Sequence, residues 1–327
     1  MRIAGAATTD KKTEVMKFPE NLKIGDRIEI VAPATTVKRE YVEGCAKVLR
    51  DTGFDARIAP HALGPADGTY ATSPEGRISD LREAMLNPEV RVIFCARGGF
   101  GCVHLLPHLP AEALREDPKW LVGFSDVSAL HALWLSNGVA SLHGPMAKHF
   151  KTFSGGDSYS RMTLQALMGL PEMNIESRKP HPYNRRGIAK GRLCGGNLAV
   201  LDGLVGTPYD ILATSPFDDE GRLLFIEDIA EPIYKVDRIL TQLHLAGTLK
   251  RIKGLIVGQF TEYRPDLNFS SMEEMIATRL EEWGYSELPI VFGFKVGHVD
   301  ENWPLIEGAV TELRVTSEGW RLKQERL

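Results

Sequence analysis

A chain of 327 residues is long enough for two domains with separate cores. With 43% hydrophobic and 25% charged residues it has the balance of an ordinary globular protein, which excludes a disordered or collagen-like chain. The 39 Lys+Arg against 43 Asp+Glu leave a formal net charge of −4, so no basic surplus exists to neutralise a phosphate backbone, and nucleic acid is not an expected partner. No apolar run reaches the roughly 18–20 residues of a membrane span, and Met1–Met16 lacks the basic-then-apolar pattern of a signal peptide. A cytoplasmic location without membrane contact is therefore expected, with the first residues a frayed or added tail.

DRIEIVAP (Asp26–Pro33) is an apolar run stopped by proline, and a helical pattern follows around Glu40–Thr52. The alternation repeats: RVIFCA (Arg91–Ala96) runs into Gly98, Gly99 and Gly101, and KWLVGF (Lys119–Phe124) runs into a helical stretch over Asp126–Gly138. Apolar strands alternating with helices predict an α/β domain with a parallel sheet over residues 17–170. From 171 to 190 the sequence turns irregular, proline-bearing and basic, as a linker would. Residues 191–327 read as a second, strand-rich domain, with strands expected at Arg222–Asp228, Arg251–Phe260, Pro289–Phe294, Gly308–Val315 and Gly319–Glu325. A helix over Pro232–Leu245 lies among them, with Pro at its start and Gly247 as its stop.

Cys45, Cys95, Cys102 and Cys194 form no CxxC pair, which argues against a zinc site or a disulfide framework. Cys194, in GRLCGGN, lacks a strand-to-helix elbow and reads as packing. Ser125, in VGFSDVS, stands where a strand hands over to a helix, so its hydroxyl can sit on a sharp turn beside free backbone N–H groups. Val127 occupies the place of the second glycine of GxSxG, which disfavours an ordinary α/β-hydrolase elbow, and Ser125 could equally cap the helix. The three glycines of ARGGFG allow a close backbone approach to an anion, as an oxyanion-hole loop or as a tight turn. The partial GxGxxG match lacks its third glycine and does not follow the first strand, which argues against a dinucleotide.

A nucleophilic serine needs a base and an orienting group. Of nine histidines, His298 in GFKVGHVDEN is the best placed, after an apolar strand and among glycines; His143 in LHGPM is a second candidate that would shape the pocket. Glu227 ends the apolar strand RLLFIED, where a buried acid must accept hydrogen bonds.

Taken in order, LKIGDRIEIVAPA, ARGGFG, GFSDVSAL with LHGPM, CGGNLAVL, and LLFIEDIAEPIYKVDRILTQLHLAG followed by His298 resemble the LD-carboxypeptidase family of serine peptidases, which includes the microcin C immunity-type peptidases. The resemblance implies a triad of Ser125, Glu227 and His298, and an oxyanion hole formed by the backbone amide of Asp126 and one from the Gly98–Gly99 turn. It implies an N-terminal α/β domain joined to a β-barrel-like C-terminal domain, a homodimer, and no metal or organic cofactor. The implied activity releases terminal D-Ala from muropeptide tetrapeptides in cell-wall recycling. The immunity-type branch acts instead on peptidyl or aminoacyl-adenylate analogues, with aromatic residues stacked on the nucleobase; here the short basic stretch before GRLCGGN carries Tyr183 but no tryptophan, which favours the muropeptide. Arg97 and Arg238 are candidates for the substrate carboxylate, although either could be a structural ion-pair partner. HVDENWPLIEG after His298, with Trp303 and Glu307, departs from the family's usual pattern. The rival readings are a non-catalytic module binding a small anion, and an esterase or amidase sharing the triad.

Overall fold

The structure, a computed structural model, describes residues 15–150, 158–169, 173–213 and 221–326. The first apolar runs form β1 (Arg27–Val31), β2 (Asp55–Ile58), β3 (Val90–Cys95), β4 (Trp120–Gly123) and β5 (Ser141–His143). These five pair in parallel in the order β5-β4-β3-β1-β2. The order reverses between β1 and β3, which opens a crevice at the carboxyl ends of the strands, where ligands of such sheets bind. The intervening helices follow from local chemistry. Arg39–Asp51 buries Val42, Cys45, Ala46 and Leu49 on one face, and Pro74–Leu86 starts with Ser73 accepting the Gly76 N–H at 3.2 Å and proline in its first turn.

The second half supplies β6 (Asn174–Ser177), β7 (Gly187–Asn197), β8 (Arg222–Ile229), β9 (Ile252–Thr261), β10 (Ile290–Val291), β11 (Leu305–Glu307), β12 (Val310–Val315) and β13 (Trp320–Glu325). Seven of these form a mixed sheet in the order β10-β9-β8-β7-β12-β13-β6, parallel from β10 to β7 and antiparallel from β7 to β6. The α/β class holds, and among the described residues an antiparallel bridge from Arg185, just before β7, to Ile290 on β10 curls the parallel half of this sheet back on itself without fully closing a barrel.

Three features cross the expected domain limits. The stretch 171–190 carries β6 and the start of β7, while its first two residues lie outside the described ones. β11 leaves its own half and adds to the first sheet as an antiparallel edge strand, with Leu305 opposite His143 and Glu307 opposite Ser141. Met16 is buried, and Lys17 bridges to Val139, so the end of the expected tail belongs to the fold; residues 1–14 lie outside the described ones. Among the described residues no helix is long and apolar enough to cross a membrane. All four cysteines are free and buried, and burial pushes the Cys45 and Cys95 thiols well up, which keeps them protonated.

Candidate active site

β4 ends at Gly123, and the chain turns through a short 3-10 turn, Ser125–Val127, into the buried helix Ser128–Ser136. Ser125 takes φ = +67°, in the left-handed region that costs a side-chain-bearing residue on the order of 1–2 kcal/mol. That turn lifts the hydroxyl out of the sheet and leaves it half-buried, facing the second half of the molecule. There His298 Nε2 lies 2.9 Å from Ser125 Oγ, and His298 Nδ1 lies 2.8 Å from Glu227 Oε2. A carboxylate facing Nδ1 sets the tautomer: the proton sits on Nδ1 and the Nε2 lone pair faces the hydroxyl.

Each partner is held by its own surroundings. Glu227 sits on β8 and is fully buried. His298 lies in a loop closed by the Trp303 N–H donating to Lys295 C=O at 2.7 Å and the Gly297 N–H donating to Asn302 Oδ1 at 3.0 Å. The His298 ring packs edge-on against Phe124, with centroids 5.1 Å apart. The two halves meet at the end of β7. Gly196, at φ = +129°, passes so close to the serine-bearing helix that a Cβ would stand 2.5 Å from Ser128 Oγ, and the Asn197 N–H donates to that same oxygen at 3.0 Å. Next to Glu227, Asp228 is pushed up to about 6, chiefly by burial and then by the Glu227 charge. It accepts from Asn197 Nδ2 at 2.8 Å and from the Ala199 N–H at 2.9 Å.

The glycine loop after β3 lies directly against the serine. A Cβ on Gly98 would be 2.9 Å from Ser125 Cβ and 3.1 Å from Phe124 O. Thr35, after β1, donates its hydroxyl to Gly98 C=O at 2.8 Å, which orients the Gly98–Gly99 peptide. Because N–H and C=O point oppositely across a trans peptide, the Gly99 N–H is turned away from Thr35. Among the described residues the N–H groups of Gly99 and Asp126 have no hydrogen-bond acceptor. The Asp126 carboxylate turns inward to accept the Cys102 N–H at 2.9 Å, tying the two loops together, and burial raises it. Buried Arg77 braces the loop from behind, donating to Pro33 C=O at 3.0 Å and Gly101 C=O at 3.3 Å with its guanidinium over the Tyr70 ring.

The remaining candidates fall elsewhere. Arg97 is exposed beside Gly98, with its guanidinium donating to Thr36 C=O at 2.9 Å. Arg238 is exposed on the helix Ile233–Leu245, over the Tyr234 ring. His143, expected to shape the pocket, is fully buried and packs against Phe124 and Phe225. Sequence reading missed Thr35, Arg77, Ser128 and Asn302. The one available signal was an arginine on the apolar face of Pro74–Leu86, where a charge has to find buried acceptors.

His149 packs beside Phe124, with Nδ1 3.1 Å from Met146 N and 3.3 Å from Met146 C=O. Burial, aided by the Lys148 charge, lowers it to about 4 from 6.5. The folded protein then binds fewer protons than the unfolded chain, so this contribution is complete above pH 6.5 and drains away as pH falls toward 4. Wild type should lose up to about 3 kcal/mol relative to His149→Asn over that window. Urea midpoints of both proteins at pH 7.5 and 4.5 measure it.

Comparison with known proteins agrees with this architecture. The LD-carboxypeptidase N-terminal domain model matches residues 28–144 and the LD-carboxypeptidase C-terminal domain model matches residues 190–313. A probable murein peptide carboxypeptidase of Bacillus subtilis is 32% identical over 286 residues, 86% of each chain. The crystal structure of muramoyltetrapeptide carboxypeptidase from Oxalobacter formigenes superposes with a TM-score of 0.79 at 26% identity, covering 92% of this chain and 99% of that one. An MccF-like protein from Bacillus anthracis superposes at 0.80 and 25% identity, covering 95% of this chain and all of that one. Two domain models that match in order across most of the sequence, and a relative above 30% identity along nearly its full length, give one conclusion: the chain belongs to the LD-carboxypeptidase family, a family of peptide hydrolases.

Proposed function

We propose that the protein is a serine-type LD-carboxypeptidase that removes terminal D-Ala from muropeptide tetrapeptides. The observation that carries this reading is the continuous chain from Ser125 through His298 to Glu227, with a 2.9 Å link from the first half to the second and a 2.8 Å link within the second. In this mechanism His298 Nε2 takes the Ser125 proton as Oγ attacks the amide carbonyl, and Glu227 stabilises the imidazolium that forms. The N–H groups of Asp126 and Gly99 receive the oxyanion, each contributing about 10²–10³ in rate. His298 then protonates the departing D-Ala amine, and water resolves the acyl-enzyme. Arg97, beside the glycine loop, supplies a cation for the substrate's terminal carboxylate.

Turnover of a muramyl tetrapeptide to tripeptide and D-Ala, followed by mass spectrometry, tests the assignment; an intact tetrapeptide after prolonged incubation with folded enzyme would overturn it. The alternative substrate, an aminoacyl-adenylate analogue as the resemblance to the immunity-type branch implies, is distinguished by running both substrates side by side. The reading includes a cytoplasmic homodimer, checked by sedimentation and cell fractionation.

Thr35 acts here as a positioning residue. Thr35→Val keeps the side chain's shape and removes its hydroxyl donor to Gly98 C=O, leaving only the longer Thr35 N–H contact at 3.4 Å to orient that peptide. One neutral hydrogen bond corresponds to roughly a tenfold effect at most. The expected result is a kcat lowered about three- to tenfold with KM and melting temperature nearly unchanged. A KM effect alone would place Thr35 in ground-state binding instead.

A further inference from the structure

Behind the proposed triad, three ionisable side chains from three elements meet inside the protein: His131 from the helix Ser128–Ser136, His143 from β5 and Glu307 from β11. All three are 0% exposed. Glu307 Oε1 lies 3.8 Å from His131 Nδ1 and 3.9 Å from His143 Nδ1, and one donor atom from each residue lies within 4.8 Å of the others. Neither carboxylate oxygen of Glu307 and neither ring nitrogen of His143 has a hydrogen-bond partner among the described residues. The Gly195 N–H turns partial positive charge toward the carboxylate without closing a hydrogen bond. Four buried polar atoms in one place without partners are rare in a folded protein and call for an occupant.

The geometry around His131 specifies its chemistry. Its Nε2 lies 2.9 Å from Gly123 C=O, and a carbonyl can only accept, so the proton is on Nε2 and the Nδ1 lone pair faces the cluster. A histidine that binds a metal through one nitrogen typically donates its other N–H to a backbone carbonyl in this way. With Nε2 protonated, the same Nδ1 accepts the Ser141 hydroxyl at 2.8 Å, so a cation taking up that lone pair would displace this hydrogen bond and leave Ser141 Oγ beside a fourth position. Donors on tetrahedral zinc at bonds of about 2.1 Å are spaced about 3.4 Å apart, so the two Glu307–histidine distances must close by about half an ångström and the widest donor pair, within 4.8 Å, by up to about 1.4 Å.

We infer that His131 Nδ1, His143 Nδ1 and the Glu307 carboxylate form a buried site for a divalent transition cation of the zinc type, with Ser141 Oγ next to the open position. Two neutral imidazoles and a carboxylate suit such an ion, and burial keeps both rings neutral. The site is closed to substrate, so its role is structural. His131 lies six residues after Ser125 on the turn and helix that carry it, and Glu307 lies nine residues after His298, so the cation would tie together the two segments that supply nucleophile and base. The family resemblance implies no metal, and this site arises from residues of this chain.

The test uses untagged, full-length protein expressed in medium supplemented with zinc or with cobalt, since a closed site loads as the chain folds. The expected results are a stoichiometric amount of metal by elemental analysis and the strong visible bands of four-coordinate cobalt. Both should be lost in Glu307→Gln and His143→Gln, and the melting temperature of wild type should be several degrees higher from zinc-supplemented than from zinc-depleted medium. Only trace metal in folded wild type would overturn the site, as would metal retained unchanged by both variants. The cluster would then hold a neutral carboxylic acid, and Glu307→Gln, its uncharged isostere, would be as stable as wild type.

Discussion

Replacing Ser125 with alanine is expected to lower kcat/KM for tetrapeptide cleavage by about 10⁴–10⁶, because the oxyanion donors and the binding surface survive but no covalent intermediate can form. Mass-spectrometric product counts over long incubations resolve a loss of that size, and a residual rate within tenfold of wild type would remove Ser125 from the mechanism. A companion variant separates chemistry from backbone strain. At φ = +67° glycine is relaxed where serine is not, so Ser125→Gly should be equally inactive yet more stable than Ser125→Ala by about 1 kcal/mol. Denaturant midpoints of the two variants read the difference directly.

The second large effect is expected at Glu227. Glu227→Gln retains shape but removes the charge facing His298 Nδ1, which lies 2.8 Å away. A neutral amide can present its NH₂ to that nitrogen and favour the tautomer with the proton on Nε2, the wrong one for a base acting on Ser125. The expected loss in kcat is about 10³–10⁴. Stability should move the other way or stay level, because the Glu227 charge contributes to raising the neighbouring Asp228 carboxyl to about 6. Removing it lets Asp228 ionise at less cost at neutral pH. A Glu227→Gln protein that is inactive and at least as heat-stable as wild type fits this account; one that is active and unstable would make Glu227 a structural residue.

Much of the fold was legible along the chain. The runs at 27–31, 90–95, 120–123, 222–229 and 252–261 are strands because predominantly apolar stretches of that length bury their side chains inside a covered sheet. Short strands such as Ser141–His143 and Leu305–Glu307 escaped because three residues carry no period. β6 escaped because Asn174–Ser177 is a sheet edge whose outward side chains are polar, so it reads like the irregular segment around it. The candidate site was legible in part. Ser125 was marked by its place between strand and helix, and His298 by its glycine-flanked loop. Glu227 was marked by a charge ending an apolar run. Thr35 and Arg77 were not, since each acts on a backbone carbonyl far away in sequence, and a carbonyl leaves no trace in residue identity.

The amino-acid sequence by itself determined the class of the fold, the break in texture between its halves, and the residue types able to perform acyl transfer. Those properties reside in local pattern: burial periodicity, proline and glycine stops, and the neighbours of each polar side chain. Only the tertiary structure decided that Ser125 Oγ, 173 residues from His298, lies in hydrogen-bond contact with it, and that β11 crosses into the first sheet to bring Glu307 between two buried histidines. The reason is physical: distances between remote segments are set by how the two sheets pack, and packing is a collective property of the whole core rather than of any one stretch of chain.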